Sequence, residues 1–592
     1  MAGYTSTSDA PPIRKDWEKV ATVRELFRRA RSARRPLIDR WVDNYEILHN
    51  RMWSPGRATW MPNPKVAEIW PAIASISAWE CDTRPSFDVT PYAEPHSPYF
   101  EQTTTIAADL RTTLRAAWQI NDIDAEVQKI VWDCNVYGIG ILKTYWDADA
   151  HDGYGDACMK RVDPFSFYPD PDATSMKDAQ FLVETYELTD FQLETRFPGA
   201  LAKLSGGSAE DIDRSPTLLD TDKGKFPKAN PGPISPNTSN SFGLPGQGRD
   251  FGDVDSDTHL VIECWHRCNC KTDDSEDNTE GPYDPESPHW HCTVVSGDVT
   301  LFDKPATDIW GHAQQPYDRL VAIDTGEFWG ASMVEFLAPI QKSINRLLSA
   351  IEQNIWLAVN PVMLEDTRSG LTRTKITNKP GQRLSVAANA RVEWMNPPVI
   401  HPQLAMQLLD WYSSKIESIS GLSAMVRGAT PTGRNSQGVL DSVQEAAFVR
   451  IRMTLHNLES TLRSAGQKMA GLIAEFYDTP RIVAFAGPQG EQLPLALRGK
   501  HFYVPDFTGG DPTPMRFRLN VQAGSSITTS RAARVAEADT LYAMGAIDSE
   551  ALLIEHDFPN WPTVVARQRE LQAAQGTLGE PPSARKAAGR TT

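Results

Sequence analysis

The sequence is short of cysteine, of long apolar runs and of positive charge. Seven Cys among 592 residues are too few for a disulfide framework, and so sparse a set indicates a reducing compartment. No run of 18 apolar residues occurs, and the N-terminus lacks the apolar segment of a signal peptide, so we expect neither membrane insertion nor ordinary secretion. Lys and Arg number 59 against 76 Asp and Glu, a net charge of −17, which argues against a nucleic-acid-binding protein of the usual basic kind.

Familiar enzyme motifs are missing as well. No GxxxxGK[ST] phosphate-binding loop and no HExxH zinc motif occur, and Gly524-Ser525-Ser526 lacks the closing Gly of a nucleophile elbow. Carboxylates are plentiful, but no spacing distinguishes a catalytic pair from a solvated surface. With 40% hydrophobic and 23% charged residues, the composition is that of a folded globular protein. We therefore expect no enzyme activity, no catalytic residue and no cofactor.

Possible zinc ligands alternate along one predicted strand and recur on the next. They are Cys264, His266, Cys268 and Cys270, followed by His289, His291 and Cys292. Alternate residues of a strand share a face, and thiolate and imidazole are preferred zinc ligands. Structural zinc sites more often use CxxC turns, which favours ordinary side chains of a hairpin, so we assign no metal residue. A metal-dependent nucleic-acid enzyme built on these strands remains the alternative function.

The first half of the chain mixes helical and strand-like spacing, which predicts an α+β, mainly helical fold. Helices are predicted over Glu18–Met52, Lys65–Ala78, Tyr99–Trp118 and Asp124–Asn135, and strands over 138–146, 157–162, 181–187, 259–267 and 289–295. The first helix begins with a cluster of arginines, interpreted as a solvated face or, alternatively, as a surface for DNA or an acidic partner. Residues 205–257 hold few large apolar residues and are predicted to form a long insertion loop.

Long amphipathic helices dominate the second half. Apolar residues from Met333 recur every three or four positions for about 26 residues, and a second helix is predicted over about His401–Ser418. A third, of about 40 residues, begins after Asn435 or Ser436. Such apolar stripes cannot be covered within a single hairpin, so neighbouring copies are expected to cover them. The segment between the first two helices is locally basic, and the Gly-rich stretch between the last two carries two charges, Arg427 and Arg434.

This order of elements resembles the portal proteins of tailed bacteriophages. The residues from Gly330 to Asn345 are similar to the family's G-x-S-x-x-E-x-L-x-P-x-Q-x-x-x-N pattern at the start of the first stem helix. The stretch from Ile419 to Ser436 is similar to that before the family's long helix. Val162-Asp-Pro164, Phe167-Tyr-Pro169-Asp170-Pro171 and Phe197-Pro198 are similar to its wing region. The resemblance covers about residues 20–575, and it departs from the family at the 205–257 insertion and at Gln437-Gly438.

The resemblance implies a portal-type subunit that assembles into a ring with a central channel. Its divisions would be a disordered arm (1–19), a wing (20–330, with the insertion 205–257), stem helix 1 (331–358), a clip (359–400), stem helix 2 (401–420), a channel loop (421–437), the long helix and strands of the wing (438–525), a helical crown (526–575) and a disordered tail (576–592). We expect Arg427 and Arg434 to lie nearest the DNA. Partners would dock on the clip through its basic residues, which are Arg368, Arg373, Lys375, Lys379 and Arg383.

The function implied by the resemblance is a conduit at one capsid vertex of the virion. Double-stranded DNA would be packaged through it by the terminase and later ejected into the tail, and the ring would nucleate head assembly in the host cytoplasm. Its partners would be further copies of the chain (a dodecamer), the terminase large subunit, the major capsid protein, scaffolding protein, a head–tail adaptor and non-specifically passing DNA, with no membrane. An acidic channel wall suits sliding DNA, because few phosphate contacts keep binding weak. Another phage head structural protein is a further alternative.

Overall fold

The computed structural model describes residues 17–53, 61–81, 86–91, 100–204, 258–268, 289–310, 312–359, 362–366, 392–395, 402–421, 437–478, 481–486, 492–504, 513–514, 517–522 and 531–549, with a few single positions beyond. Structural statements below concern these residues. The predicted insertion loop, most of the predicted arm and the predicted tail lie outside them, so those predictions stay predictions.

Helices follow the apolar periodicity of the sequence closely. Their bounds are α1 Trp17–Leu48, α2 Ile69–Cys81, α3 Phe100–Ile120, α4 Ile123–Tyr137, α5 Ala150–Gly153, α6 Asp190–Arg196, α7 Ala200–Leu204, α8 Ala306–Ile309, α9 Met333–Val359, α10 Pro402–Ser420, α11 Gln437–Phe476 and α12 Arg531–Ala543. The two longest predictions of the second half, α9 and α11, are confirmed. The predicted start of α2 at Lys65 is wrong, because residues 62–68 form no helix and hydrogen-bond to α9 instead. Among the described helices, none has the length and apolar composition that crossing a membrane requires.

Strands form two antiparallel sheets and four small strand pairs. Their bounds are β1 Ser86–Pro91, β2 Ile139–Asp147, β3 Asp156–Val162, β4 Phe167–Pro169, β5 Phe181–Thr189, β6 Thr258–Cys268, β7 His289–Ser296, β8 Val299–Pro305, β9 Tyr317–Val321, β10 Val362–Glu365, β11 Val392–Met395, β12 Arg481–Ala486, β13 Gln492–Leu497, β14 Tyr503–Val504, β15 Thr513–Pro514 and β16 Phe517–Gln522. The larger sheet has the order β4-β5-β6-β7-β8 and the smaller β3-β2-β9, and the pairs are β1–β16, β10–β11, β12–β13 and β14–β15. Helices and sheets together give the α+β class.

The main apolar core joins both sheets to the surrounding helices. Trp41 of α1 packs edge-on against Phe165, and Trp265 of β6 stacks on Trp310 with ring centroids 5.2 Å apart. The other face of the five-stranded sheet has a small core of its own, in which Phe27 of α1 contacts Tyr168. Burying each large apolar side chain contributes about 1.5–3 kcal/mol. These contacts therefore stabilise the packing of α1 and the two sheets against one another.

A buried lysine connects the two sheets. Lys143 of β2 places Nζ 2.6 Å from Glu184 and 2.9 Å from Glu263, both on the five-stranded sheet. Burial lowers the pKa of Lys143, but the two carboxylates outweigh that effect and raise it above its usual value. Tyr317 of β9 donates its hydroxyl to Glu184 at 2.8 Å. Moving one sheet relative to the other would separate Lys143 from Glu184 and Glu263 and leave buried charges unpaired, which is costly. The ion pairs therefore hold the two sheets in one relative position.

Candidate functional site

One side of α9 binds an earlier, non-helical segment of the chain, residues 62–68, through polar side chains. Gln341 donates from Nε2 to the carbonyl of Val66 at 2.7 Å, and the N–H of Val66 donates to Oδ1 of Asn345 at 3.3 Å. One turn further, Ser349 donates to the carbonyl of Pro62 at 2.8 Å. The sequence places these three residues opposite the apolar stripe, and the structure buries them. They satisfy backbone groups that no sheet or helix satisfies.

The turn into α9 explains the Gly and Ser of its opening pattern. Gly330 has a φ of +64°, and a Cβ there would clash with Val321. Ser332 accepts the N–H of Val334 at 2.9 Å and so caps the first turn of the helix. Its hydroxyl also donates to the carbonyl of Asn135 at 2.9 Å. The turn therefore fixes the direction in which α9 leaves the core.

Beyond its first half, α9 presents apolar side chains to solvent, and α10 does the same. The exposed apolar residues are Ile355, Trp356, Leu357 and Val359 on α9 and Leu404, Met406, Leu408, Trp411 and Ile419 on α10. Trp356 is 59% exposed, Leu404 65% and Trp411 52%. The two helices pack against each other, so we call them the helix pair. The predicted apolar stripe of α9 is thus covered by its own chain at the start and left uncovered at the end, a typical feature of an interaction surface.

A small strand pair closes the end of the helix pair. β10 and β11 are antiparallel, with Val362 opposite Met395 and Glu365 opposite Val392. The connection between these strands contains the five basic residues predicted for partner docking. Arg368, Arg373, Lys375, Lys379 and Arg383 all lie outside the described residues. The structure therefore brings the two ends of that connection together but does not test the docking role.

At its other end, α10 stops as the glycine pattern predicts. Gly421 has a φ of +77°, a left-handed conformation that ends a helix, and its N–H donates to the carbonyl of Glu417 at 2.9 Å. The chain resumes as a helix at Gln437. Arg427 and Arg434 lie between these points, outside the described residues, so their place nearest the DNA stays a prediction.

The second half of α11 is fastened to the edge of the three-stranded sheet. Four side chains of α11, three or four residues apart, donate hydrogen bonds of 2.6–2.9 Å to strand β9. Asn457 donates to the Val321 carbonyl and Thr461 to the Arg319 carbonyl. Ser464 donates to the Asp318 carboxylate and Lys468 to the Tyr317 carbonyl. Burial lowers the pKa of Lys468 and raises that of Asp318, while the 2.9 Å ion pair between them opposes both effects. We call these four residues the α11 polar strip. It satisfies backbone carbonyls at a sheet edge.

Several basic residues of α1 are bound to other parts of the chain. Lys19, Arg24 and Arg29 pair with Asp303, Asp298 and Asp172 respectively. Arg34 is buried under the ring of Tyr168, 3.7 Å from its centroid, and donates to the carbonyls of Pro164, Phe165 and Phe167. Burial lowers the pKa of Arg34. For Arg34, which is 2% exposed, both sequence interpretations are wrong, because its side chain is buried and fastens α1 to the sheet. Arg28, Arg29 and Arg35 are exposed, as a solvated face predicts.

The Cys and His residues of β6 and β7 fall on two faces. Opposite residues on one face are Cys264 and Thr293, His266 and His291, and Cys268 and His289, while Cys292 lies opposite Trp265 on the other face. The predicted alternation of Cys264, His266 and Cys268 is confirmed, and Cys270 lies outside the described residues. Cys268 is disulfide-bonded. In the described part of the chain, no three His, Cys, Asp or Glu side chains are arranged to hold a metal ion, so nothing here supports the alternative enzyme.

Sequence reasoning missed two functional arrangements, the anchoring of residues 62–68 and the α11 polar strip. In both, the available pattern was a series of polar residues at helical spacing, such as Gln341, Asn345 and Ser349. That spacing shows which residues share a helix face. It does not show whether the face meets solvent or another segment.

The chain matches the model of a known protein family. The family described as phage P22-like portal protein matches residues 24–588, nearly the whole chain. A search of curated proteins finds no match.

Proposed function

Because the chain belongs to the phage P22-like portal protein family, we propose that most of its described residues form the wing and stem of a portal subunit. The match spans both, so the portal function belongs to the chain as a whole: it is a structural component of the phage virion that serves genome packaging. We assign residues 20–330 and 438–525 to the wing, and α9 and α10 to the stem. The clip (359–400), the channel loop (421–437) and the crown (526–575) complete the division.

Membership of the family implies a ring of copies that contacts the capsid and the terminase. We propose twelve copies, with double-stranded DNA passing through the central channel and a head–tail adaptor and terminase docking at the clip. Scaffolding protein and major capsid protein would meet the ring during head assembly in the host cytoplasm. The net charge of −17 supports sliding, because an acidic wall makes few lasting contacts with phosphate.

The observation that carries the ring proposal is the exposed apolar surface of the helix pair. A closed ring needs two different, complementary faces on each subunit. The end of α9 supplies one set of exposed apolar residues and α10 supplies another. Each partly exposed apolar side chain of this kind that a neighbour covers contributes about 1 kcal/mol. With nine such side chains, the helix pair alone favours assembly by several kcal/mol per subunit.

The test is the particle mass and appearance of the purified protein. Twelve copies of 65.7 kDa give a closed ring of about 790 kDa, visible by negative-stain electron microscopy. The double variant Trp356→Ser and Leu404→Ser should shift the protein from rings to monomers. The control is Phe191→Ser, which changes a side chain 81% exposed on α6 and should assemble normally. Stable monomer from the unchanged protein in every salt condition, or rings from the double variant, would contradict the proposal.

A further inference from the structure

We propose that the polar face of α9 and residues 62–68, which we call the strap, set the direction of the helix pair relative to the wing and thereby the number of copies in the ring. The inference rests on the proposed function, because it concerns how the ring closes. It makes Gln341, Asn345 and Ser349 positioning residues, which act on assembly through the strap.

The strap is bonded to successive turns of one face of α9. Gln341 uses both ends of its amide, donating to the carbonyl of Val66 at 2.7 Å and accepting the N–H of Glu68 at 3.1 Å. Asn345 accepts the N–H of Val66, and Ser349 continues the contact one turn further. These three side chains of α9 are at most 3% exposed. Because they are four residues apart, their bonds follow about 12 Å of the helix.

The strap continues directly into α2, which is bonded to the core of the wing. Ser77 and Glu80 of α2 accept hydrogen bonds from Nδ2 of Asn135 on α4, at 3.0 and 2.7 Å. The carbonyl of Asn135 accepts the hydroxyl of Ser332 at 2.9 Å, at the turn into α9. One residue of α4 therefore holds both the start of α9 and the helix that carries the strap.

Two points of attachment fix a direction that one point leaves free. If α9 were held only at Ser332, it could pivot about its first turn. Ser349 lies about 25 Å further along the helix, where a sideways shift of about 1 Å corresponds to a turn of about 2°. Neighbouring copies differ by a rotation of about 30° in a ring of twelve and about 28° in a ring of thirteen. The strap must therefore hold α9 to within about 1 Å if every copy is to close the same ring.

The surface that a neighbouring copy would cover lies beyond the strap. Trp356, 59% exposed, is about two turns past Ser349, so any tilt of α9 moves it further than it moves the strapped part. Hydrogen bonds suit the positioning role because they depend on both distance and angle, whereas apolar burial is not directional. This accounts for buried polar side chains on the one face of α9 that meets the strap.

The test is native mass spectrometry of purified rings, in which each added copy raises the mass by 65.7 kDa. We expect one copy number for the unchanged protein and at least three adjacent copy numbers for the double variant Gln341→Met and Ser349→Ala. Amide hydrogen exchange in residues 62–68 of that variant should be faster by about tenfold or more. The matched control is Ser343→Ala, because this exposed serine of α9 donates only to Pro339 of its own helix; both measurements should stay unchanged.

A role in stability alone would give a different result, namely fewer rings with an unchanged copy number. Circular dichroism shows whether the double variant has folded, and if it has not, Ser349→Ala alone decides the matter. The inference is overturned if the folded variant gives rings of one copy number, forms no rings although its exposed apolar side chains are intact, or shows unchanged exchange in the strap. These results would leave the proposed function standing, whereas monomers from the unchanged protein would overturn both.

Discussion

Glu80 makes the stability of the wing depend on pH near neutrality. Its carboxyl is 3% exposed on α2 and accepts a hydrogen bond from Asn135 of α4 at 2.7 Å. Burial raises the pKa of Glu80 from 4.5 to about 7, and the hydrogen bonds from Asn135 and Thr454 oppose the rise only in part. In the folded protein the carboxyl therefore keeps its proton at pH values where the unfolded chain has lost it.

The magnitude follows from that difference in pKa. Between pH 4.5 and 7 the folded state binds one more proton at Glu80 than the unfolded state, so the free energy of unfolding falls as pH rises. At about 1.36 kcal/mol for each pKa unit, the full loss is about 3 kcal/mol, of which about 2.5 kcal/mol falls between pH 5 and 8. Glu80→Gln keeps an acceptor for Asn135 and removes the titration.

The assay is the free energy of unfolding of the unchanged and Glu80→Gln proteins from pH 5 to pH 8. The variant should gain about 2.5 kcal/mol relative to the unchanged protein across that range. A constant offset from the new amide does not matter, because the change with pH is the measured quantity. Glu352→Gln, an exposed carboxylate on α9, should show no such change. A difference between Glu80→Gln and the unchanged protein that is flat from pH 5 to 8 would refute the reasoning.

Two further predictions concern the connections at the ends of the helix pair. Replacing both Arg427 and Arg434 with Ala should preserve rings and procapsids but reduce completion of the packaged genome, because two arginines per subunit make transient phosphate contacts. The control is the double variant with Lys at both positions, which keeps the charge. Full-length packaging by the Ala variant at normal efficiency would show that the charge is dispensable. Reversing the charge at Arg373 and Lys375 should leave the ring formed and weaken terminase or adaptor docking, and undiminished capture in a pull-down would remove the clip assignment.

Helices were the part of the fold that the sequence predicted best. The apolar spacing from Met333 determines α9 closely, because a helix of that length repeats its pattern through several turns. The end of α10 at Gly421 also follows from local chemistry, since a left-handed residue suits glycine. Both predictions rest on interactions between residues close together in the sequence.

What could not be predicted depends on residues far apart in the sequence. Gln341 is polar and lies opposite an apolar stripe, so a solvent-facing position is the natural expectation. Its actual partner, Val66, lies 275 residues earlier. The sequence shows Arg34 only as one of several arginines on a helix. In the structure it is buried and donates hydrogen bonds to the carbonyls of Pro164 and its neighbours, more than 100 residues later. The residues proposed for DNA and partner contact, such as Arg427, rest on the sequence and the family alone.

The α11 polar strip has a mechanical consequence. Asn457 and Lys468 are eleven residues apart, so the four bonded side chains extend over about 16 Å of helix. A pull along the helix axis loads all four contacts in parallel, in shear. Turning the helix by one residue would swing every one of them away from β9 together. A load applied at the Gln437 end of α11 therefore reaches Asn457 first among these four contacts, while the end beyond Lys468 stays bonded to the sheet.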